Sequence, residues 1–139
     1  MSYQLNFKLR YQFQTTESGI TLPFSLTIGG LTVEGKGKLD TGSECRFFQR
    51  ERAEGLGLEV EAGLPLKMAT LAGSLTAYGH RVVIEVLDLA FESTVYFASV
   101  YGVPRNLLGR RGWLEHLHLG LKMDEEAIYL NPIYPTENL

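Results

Sequence analysis

Short runs in which apolar and polar residues alternate, each closed by turn residues, restrict this chain more than any other feature. Leu5, Phe7, Leu9, Tyr11 and Phe13 alternate with Asn6, Lys8, Arg10, Gln12 and Gln14. A period of two puts each set on its own face, so the run reads as a half-buried strand. Residues 20–28 read as a second strand, with Pro23 marking an edge or a start. Gly29-Gly30 is a hairpin turn into a third strand, 31–39. Residues 45–48 form a short apolar strand, and 49–56 a short helix with Gly57 set for a left-handed cap. Leu64, Leu66, Met68 and Thr70 alternate up to the turn Ala72-Gly73-Ser74, and residues 75–87 return, which predicts a long hairpin. Residues 90–101 read as a further strand beyond a break at Asp88-Leu89. Asn106 is placed as the cap of a second short helix, 107–114. Strands at 117–123 and 127–130 follow, and the tail 131–139, with two prolines, predicts no regular structure. Many short strands with two short helices make an all-β barrel or sandwich.

The 139 residues suit a single domain, 1–139, with room for a real core. The formal charge of -3, with basic residues gathered only at Arg110-Arg111 and at Arg46, Arg50 and Arg52, argues against a nucleic-acid partner. The start lacks a basic segment followed by a long apolar one, and no run is long enough to span a membrane. The single cysteine, Cys45, has no internal disulfide partner. Together these predict a cytoplasmic protein with no membrane association.

One stretch carries chemistry. Asp40-Thr41-Gly42-Ser43 follows the third strand directly. A carboxylate on a tight turn past a strand end, flanked by small residues, lets backbone approach a ligand closely. The Thr and Ser hydroxyls can hold such a turn by local hydrogen bonds. The plain alternative is an ordinary Asp-Gly-type turn.

The order Asp40-Thr41-Gly42-Ser43, a long mid-chain hairpin, then Asn106-Leu107-Leu108-Gly109-Arg110 resembles the retropepsin-like aspartic proteases, single-domain dimeric relatives of pepsin. The similarity covers roughly residues 20–130, leaving residues 1–19 as an extra N-terminal strand and 131–139 as a C-terminal tail. The resemblance implies a closed acid-protease-type β-barrel with a flap hairpin and one or two short helices. It implies a homodimeric aspartic endopeptidase that hydrolyses peptide bonds with water and needs neither cofactor nor metal. Asp40 matches the catalytic residue, one from each subunit. Thr41 matches the brace between the two aspartate loops, Gly42 the backbone contact to bound peptide, and Ser43 a small residue that hydrogen-bonds the aspartate. The hairpin around Met68 to His80 matches the flap, with Thr70, Leu71, Ala72, Gly73, Ser74 and Leu75 as its substrate-binding residues and its tip at Ala72 to Leu75. Glu44, Gly109 and Arg110 match the support behind the loop, with Glu44 expected to pair with Arg110. The chain departs from the retroviral pattern in two places: its hairpin carries only Gly73 and Gly79, and Glu44 stands where an Asp is usual.

Other residues weigh less. His116 and His118 share a strand face, but no third metal ligand is close in sequence. His80 reads as packing or surface. Cys45, beside Phe47 and Phe48, reads as an inert buried thiol. Trp113 with Leu107, Leu108 and Leu114 reads as a core stripe, and Tyr78 as either a substrate contact or a cross-strand packing residue. A second function class remains open: a non-catalytic peptide- or protein-binding module on the same barrel.

Overall fold

The computed structural model describes residues 1–14, 19–70 and 73–133. Among these residues ten strands and one short α-helix fall in chain order: β1 (Leu9–Gln12), β2 (Thr21–Ile28), β3 (Leu31–Leu39), β4 (Phe47–Phe48), α1 (Arg50–Gly55), β5 (Leu64–Thr70), β6 (Gly73–Val86), β7 (Leu89–Ala98), β8 (Asn106–Leu108), β9 (Leu117–Lys122) and β10 (Ala127–Pro132). One sheet runs β2-β3-β8-β4-β7-β6-β5, and a further pairing of β2 with β6 closes its first six strands into a barrel. β5 stays outside the closed ring and, among the described residues, pairs only with the first half of β6. A second sheet, β1-β10-β9, is antiparallel throughout.

Alternation fills the barrel. Leu22, Phe24 and Leu26 of β2 point inward with Val82, Ile84 and Val86 of β6 and Val95 and Phe97 of β7. Burying each such side chain contributes about 1.5–3 kcal/mol before chain entropy is counted. Pro23 is exposed on β2, outside the stretch of that strand paired with β6, where its missing N–H does no harm. A smaller apolar cluster of Phe47, Ala77 and Ala98, with Met68, Leu75, Tyr96, Val103 and Leu107 against it, forms a separate group beside the main core.

The Gly29-Gly30 turn has both residues at positive φ, which suits the twist of a two-residue hairpin. The second tight turn is Leu87-Asp88, one residue earlier than the sequence predicts. Both residues hold positive φ, at 48° and 67°, because Leu89 is needed in β7 opposite Val86. The first strand is shorter than predicted, four residues where the alternation extends over nine. Of the predicted tail, Asn131 and Pro132 belong to β10, and residues 134–139 lie outside the described residues.

The second predicted helix, 107–114, is corrected. Asn106–Leu108 is strand β8, parallel to β3 and antiparallel to β4. Asn106 caps nothing. Its side-chain oxygen accepts from the Gln49 amide at 2.9 Å, and its Nδ2 donates to the Lys36 carbonyl and to Gln49 Oε1. Leu108 enters the main core while Leu107 turns to the smaller cluster, a period of two that a helix does not give. At the end of this segment Leu114–His116 forms a single turn of the 3-10 type.

Candidate active site

β3 ends at Leu39, whose amide donates to the Ile20 carbonyl, and the Asp40 amide donates to the Leu108 carbonyl at 3.1 Å. These bonds fix the strand end against β8. The chain then turns on itself. The Gly42 amide donates to Asp40 Oδ1 at 2.9 Å, and the Ser43 amide donates to the Asp40 carbonyl at 3.2 Å. This is an Asx-type turn, which holds the carboxylate by its own following backbone. The Ser43 hydroxyl does not reach the carboxylate; it donates to the Cys45 carbonyl at 2.8 Å. Thr41 and Gly42 are exposed, and Asp40 is half-buried.

Behind the loop, residues 109–116 act as a strap. The Arg110 amide donates to the Ser43 carbonyl at 2.9 Å and the Arg111 amide to the Glu44 carbonyl at 2.7 Å. Gly109 is required here by contact: a Cβ at this position falls 2.3 Å from the Cys45 carbonyl oxygen. Glu44 pairs with Arg111, Nε to Oε1 at 3.0 Å, and not with the expected Arg110. Both partners are largely exposed, so the pair contributes about 1 kcal/mol or less. The register of the strap explains the change of partner, since the Arg111 amide is the one bonded to the Glu44 backbone.

Arg46 is the residue that sequence reasoning missed. In the sequence it is only one member of a basic group with Arg50 and Arg52, yet it is only 5% exposed. Its guanidinium lies under the strap, with Nη1 donating to the Arg111 carbonyl at 2.5 Å. Gly112, at φ +79°, leaves the space: a Cβ there falls 1.1 Å from Nη1. Its own carbonyl accepts from the Ser93 hydroxyl at 3.3 Å, and that of Arg46 from the Tyr96 amide at 3.1 Å. Burial lowers the Arg46 pKa from its usual value, opposed by the nearby Cys45 and Glu115. The available signal was its place between Cys45 and two phenylalanines, an apolar run in which a charge demands a buried partner.

Opposite the loop stands the β5–β6 hairpin. A groove of about 490 Å³ separates residues 42–45 from residues 66–69 of β5, with Tyr96 and Arg111 also lining it. In the hairpin Thr70 pairs with Gly73, and Leu71 and Ala72 lie outside the described residues. Ser74 is exposed, and Leu75 packs on the smaller cluster. Tyr78 packs against the main core in register with Phe97.

The remaining candidates sit elsewhere. His80 Nε2 bonds the Val60 carbonyl at 2.9 Å, a packing role. His116 stacks on Phe91 with ring centroids 5.2 Å apart, and His118 is exposed. Cys45 lines the groove, half-buried, and burial, with Glu44 second, raises its thiol pKa.

No protein-family model matches this sequence, and no curated protein matches it. Among solved structures, the chain is similar to EIAV protease complexed with the inhibitor HBY-793, a retroviral aspartic protease. The TM-score is 0.51 at 17% identity, over 70% of this chain and 86% of that one. At that identity the likeness is one of fold, and the all-β barrel described above has the retropepsin-like fold.

Proposed function

We propose that this chain is an aspartic endopeptidase that works as a homodimer, with one Asp40 from each subunit. The observation that carries the reading is the Asx-held Asp40 on a strapped loop, whose following residues 42–45 line a groove against β5 of the long hairpin. Two carboxylates brought side by side cannot both ionise and so share a proton. One then takes a proton from water while the other gives one to the scissile carbonyl, and water adds across the peptide bond. Each chain has one Asp-Thr-Gly-Ser, so half a site belongs to each subunit.

In this reading Thr41 braces the two loops across the dimer axis, and the exposed Gly42 backbone meets the substrate. Ser43 acts by holding the turn through Cys45. Residues 70–75 form the tip of a flap over an extended peptide or protein substrate. Glu44, Gly109 and Arg110 hold the loop from behind, with Arg111 added as the partner of Glu44. The whole chain is one retropepsin-like unit acting in the cytoplasm, with no cofactor, nucleic acid or membrane involved.

The test is cleavage of a mixture of extended peptides, with products sequenced by mass spectrometry. The wild-type chain cleaves with a bell-shaped pH dependence, and its specific activity falls on dilution. Asp40→Asn lowers turnover by about 10²–10⁴-fold and keeps peptide binding. A wild-type chain that binds peptides and cleaves none at any pH is the binding module instead.

A further inference from the structure

A second recess, of about 330 Å³, opens between β3, α1 and the start of β8. It shares no lining residue with the groove beside Asp40. Lys36 and Lys38 stand two apart on β3, so both leave the same face of the strand. Gly37 between them is buried, so that face is the outer one. Arg52 reaches across from α1 and lies over Gly35, where a Cβ falls 3.3 Å from its Cζ. Arg105 enters from the loop before β8. Four cations thus meet in one recess, and no carboxylate among the described residues lines it. The chain as a whole carries a formal charge of -3, so its field is inverted here.

The neutral donors of the recess are spent on holding its walls together. Asn106 Nδ2 donates to the Lys36 carbonyl and to Gln49 Oε1, and Gln49 Nε2 donates to the Val103 carbonyl at 2.7 Å. Two of the cations are not spent. Arg52 Nε is buried without a hydrogen-bond partner, and neither Arg52 nor Lys38 forms an ion pair among the described residues. Arg50, Arg81, Arg111 and Lys122, by contrast, each pair with a carboxylate. A buried donor left unpaired costs free energy that a bound acceptor removes.

We propose that this recess binds a phosphate monoester, with the Arg52 guanidinium and the Lys38 ammonium donating to its oxygens and with Lys36 and Arg105 adding positive charge. A near-dianion with three acceptor oxygens suits the planar fork of an Arg beside the point charge of a Lys. The cations form one compact group and not a stripe, which suits a single phosphate and not a nucleic-acid backbone. The volume lies at the lower end of small-ligand pockets, with room beside the phosphate for part of the group that carries it. That carrier is a small sugar or a phosphorylated side chain. Binding here requires neither a dimer nor a reactive Asp40.

The experiment is titration of the nitrogen-15-labelled chain with inorganic phosphate, ribose 5-phosphate and a short peptide bearing one phosphoserine. Amide and arginine Nε–H resonances are followed at pH about 7.5, where the phosphate is mostly dianionic. The expected result is a saturable shift of the Arg52 Nε–H and of the amides of residues 36–38, 49–52 and 105–106. One of the two esters binds about tenfold tighter than inorganic phosphate, and its identity names the carrier. Arg52→Gln and Lys38→Gln each raise the dissociation constant about tenfold, while Arg81→Gln leaves it unchanged. The wild-type resonances locate the site even where a variant fails to fold. Shifts of similar size at Lys8, Lys67 and Lys122, without saturation, overturn the site. A dissociation constant unchanged in both Arg52→Gln and Lys38→Gln overturns it as well. If inorganic phosphate binds and neither ester gains on it, the recess takes an ion and no ester, and the assignment to a phosphate monoester fails.

Discussion

The two walls of the groove are held in opposite ways. The Asp40 wall is tied from three directions: to β8 through the Asp40 amide, to the strap through the amides of Arg110 and Arg111, and to β7 through the Arg46 carbonyl. Beneath it a buried guanidinium fills the space that Gly112 leaves. The hairpin wall is tied from one direction, since among the described residues β5 pairs only with β6 and its Leu64, Pro65, Lys67 and Ala69 are exposed. A reacting group needs a fixed position, whereas a cover over a bound chain must open. Local opening free energy follows contact and burial, so the two walls belong at opposite ends of the stability scale.

Hydrogen exchange measures that contrast most directly. The amides of Arg110 and Arg111 exchange about a thousandfold more slowly than those of Lys67 and Ala69, after correction for intrinsic rates. Equal protection on both sides breaks the comparison. Mutation gives the next largest effect. Gly109→Ala forces a methyl group against the Cys45 and Ser43 carbonyls, at 2.3 and 2.7 Å, and backbone must shift to admit it. Denaturant unfolding then shows a loss of about 3 kcal/mol. Lys67→Ala on the other wall stays within about 0.5 kcal/mol of wild type. Arg46→Ala falls between, at about 2–3 kcal/mol, because it leaves the Arg111 carbonyl without its donor and a void under the strap. A neutral Arg46→Ala shows that the strap stands without its buried cation.

The same division explains what was legible in the sequence. The hairpin was legible because Leu66 and Met68 alternate with Lys67 and Ala69, and local period is all a strand pair needs. The Asp40 loop was legible as a turn because Asp, Thr, Gly and Ser hold turns by short-range bonds. What holds the loop from behind was not. Residues 106–114 carry apolar positions that suit a helix, and only pairing with β3 and β4, remote in sequence, makes 106–108 a strand. The choice of Arg111 over Arg110 depends on where the strap lands on Ser43 and Glu44, a tertiary register with no local signature. Arg46 shows the same limit, since nothing in its neighbours says that Gly112 comes to lie over it.

Smaller effects refine the fixed wall. Glu44→Gln removes an exposed pair with Arg111 and lowers stability by about 1 kcal/mol or less, with the difference vanishing at high salt. A loss several times larger, insensitive to salt, places the pair in a far drier setting than its exposure allows.

Cys45 reports on the same wall by its chemistry. Its thiol lines the groove, and its pKa is raised first by burial and then by the Glu44 carboxylate, with Arg46 and Arg111 opposing. Only the thiolate is alkylated, so at mildly alkaline pH Cys45 reacts with iodoacetamide more slowly than a free cysteine. The folded value lies above the unfolded one, so the associated stability is fully present below the unfolded thiol value and fades as pH rises through the folded one. Glu44→Gln removes the second cause and leaves the first, so alkylation quickens while remaining slower than in the unfolded chain. Arg111→Gln works the other way, removing a cation that favours the thiolate, and alkylation slows further. A peptide lying in the groove between residues 42–45 and β5 shields the thiol and suppresses alkylation in proportion to occupancy, with Asp40→Asn used to keep the peptide intact. If saturating peptide leaves the alkylation rate unchanged, the groove is not where the peptide lies, and the contrast between its walls has no bearing on binding.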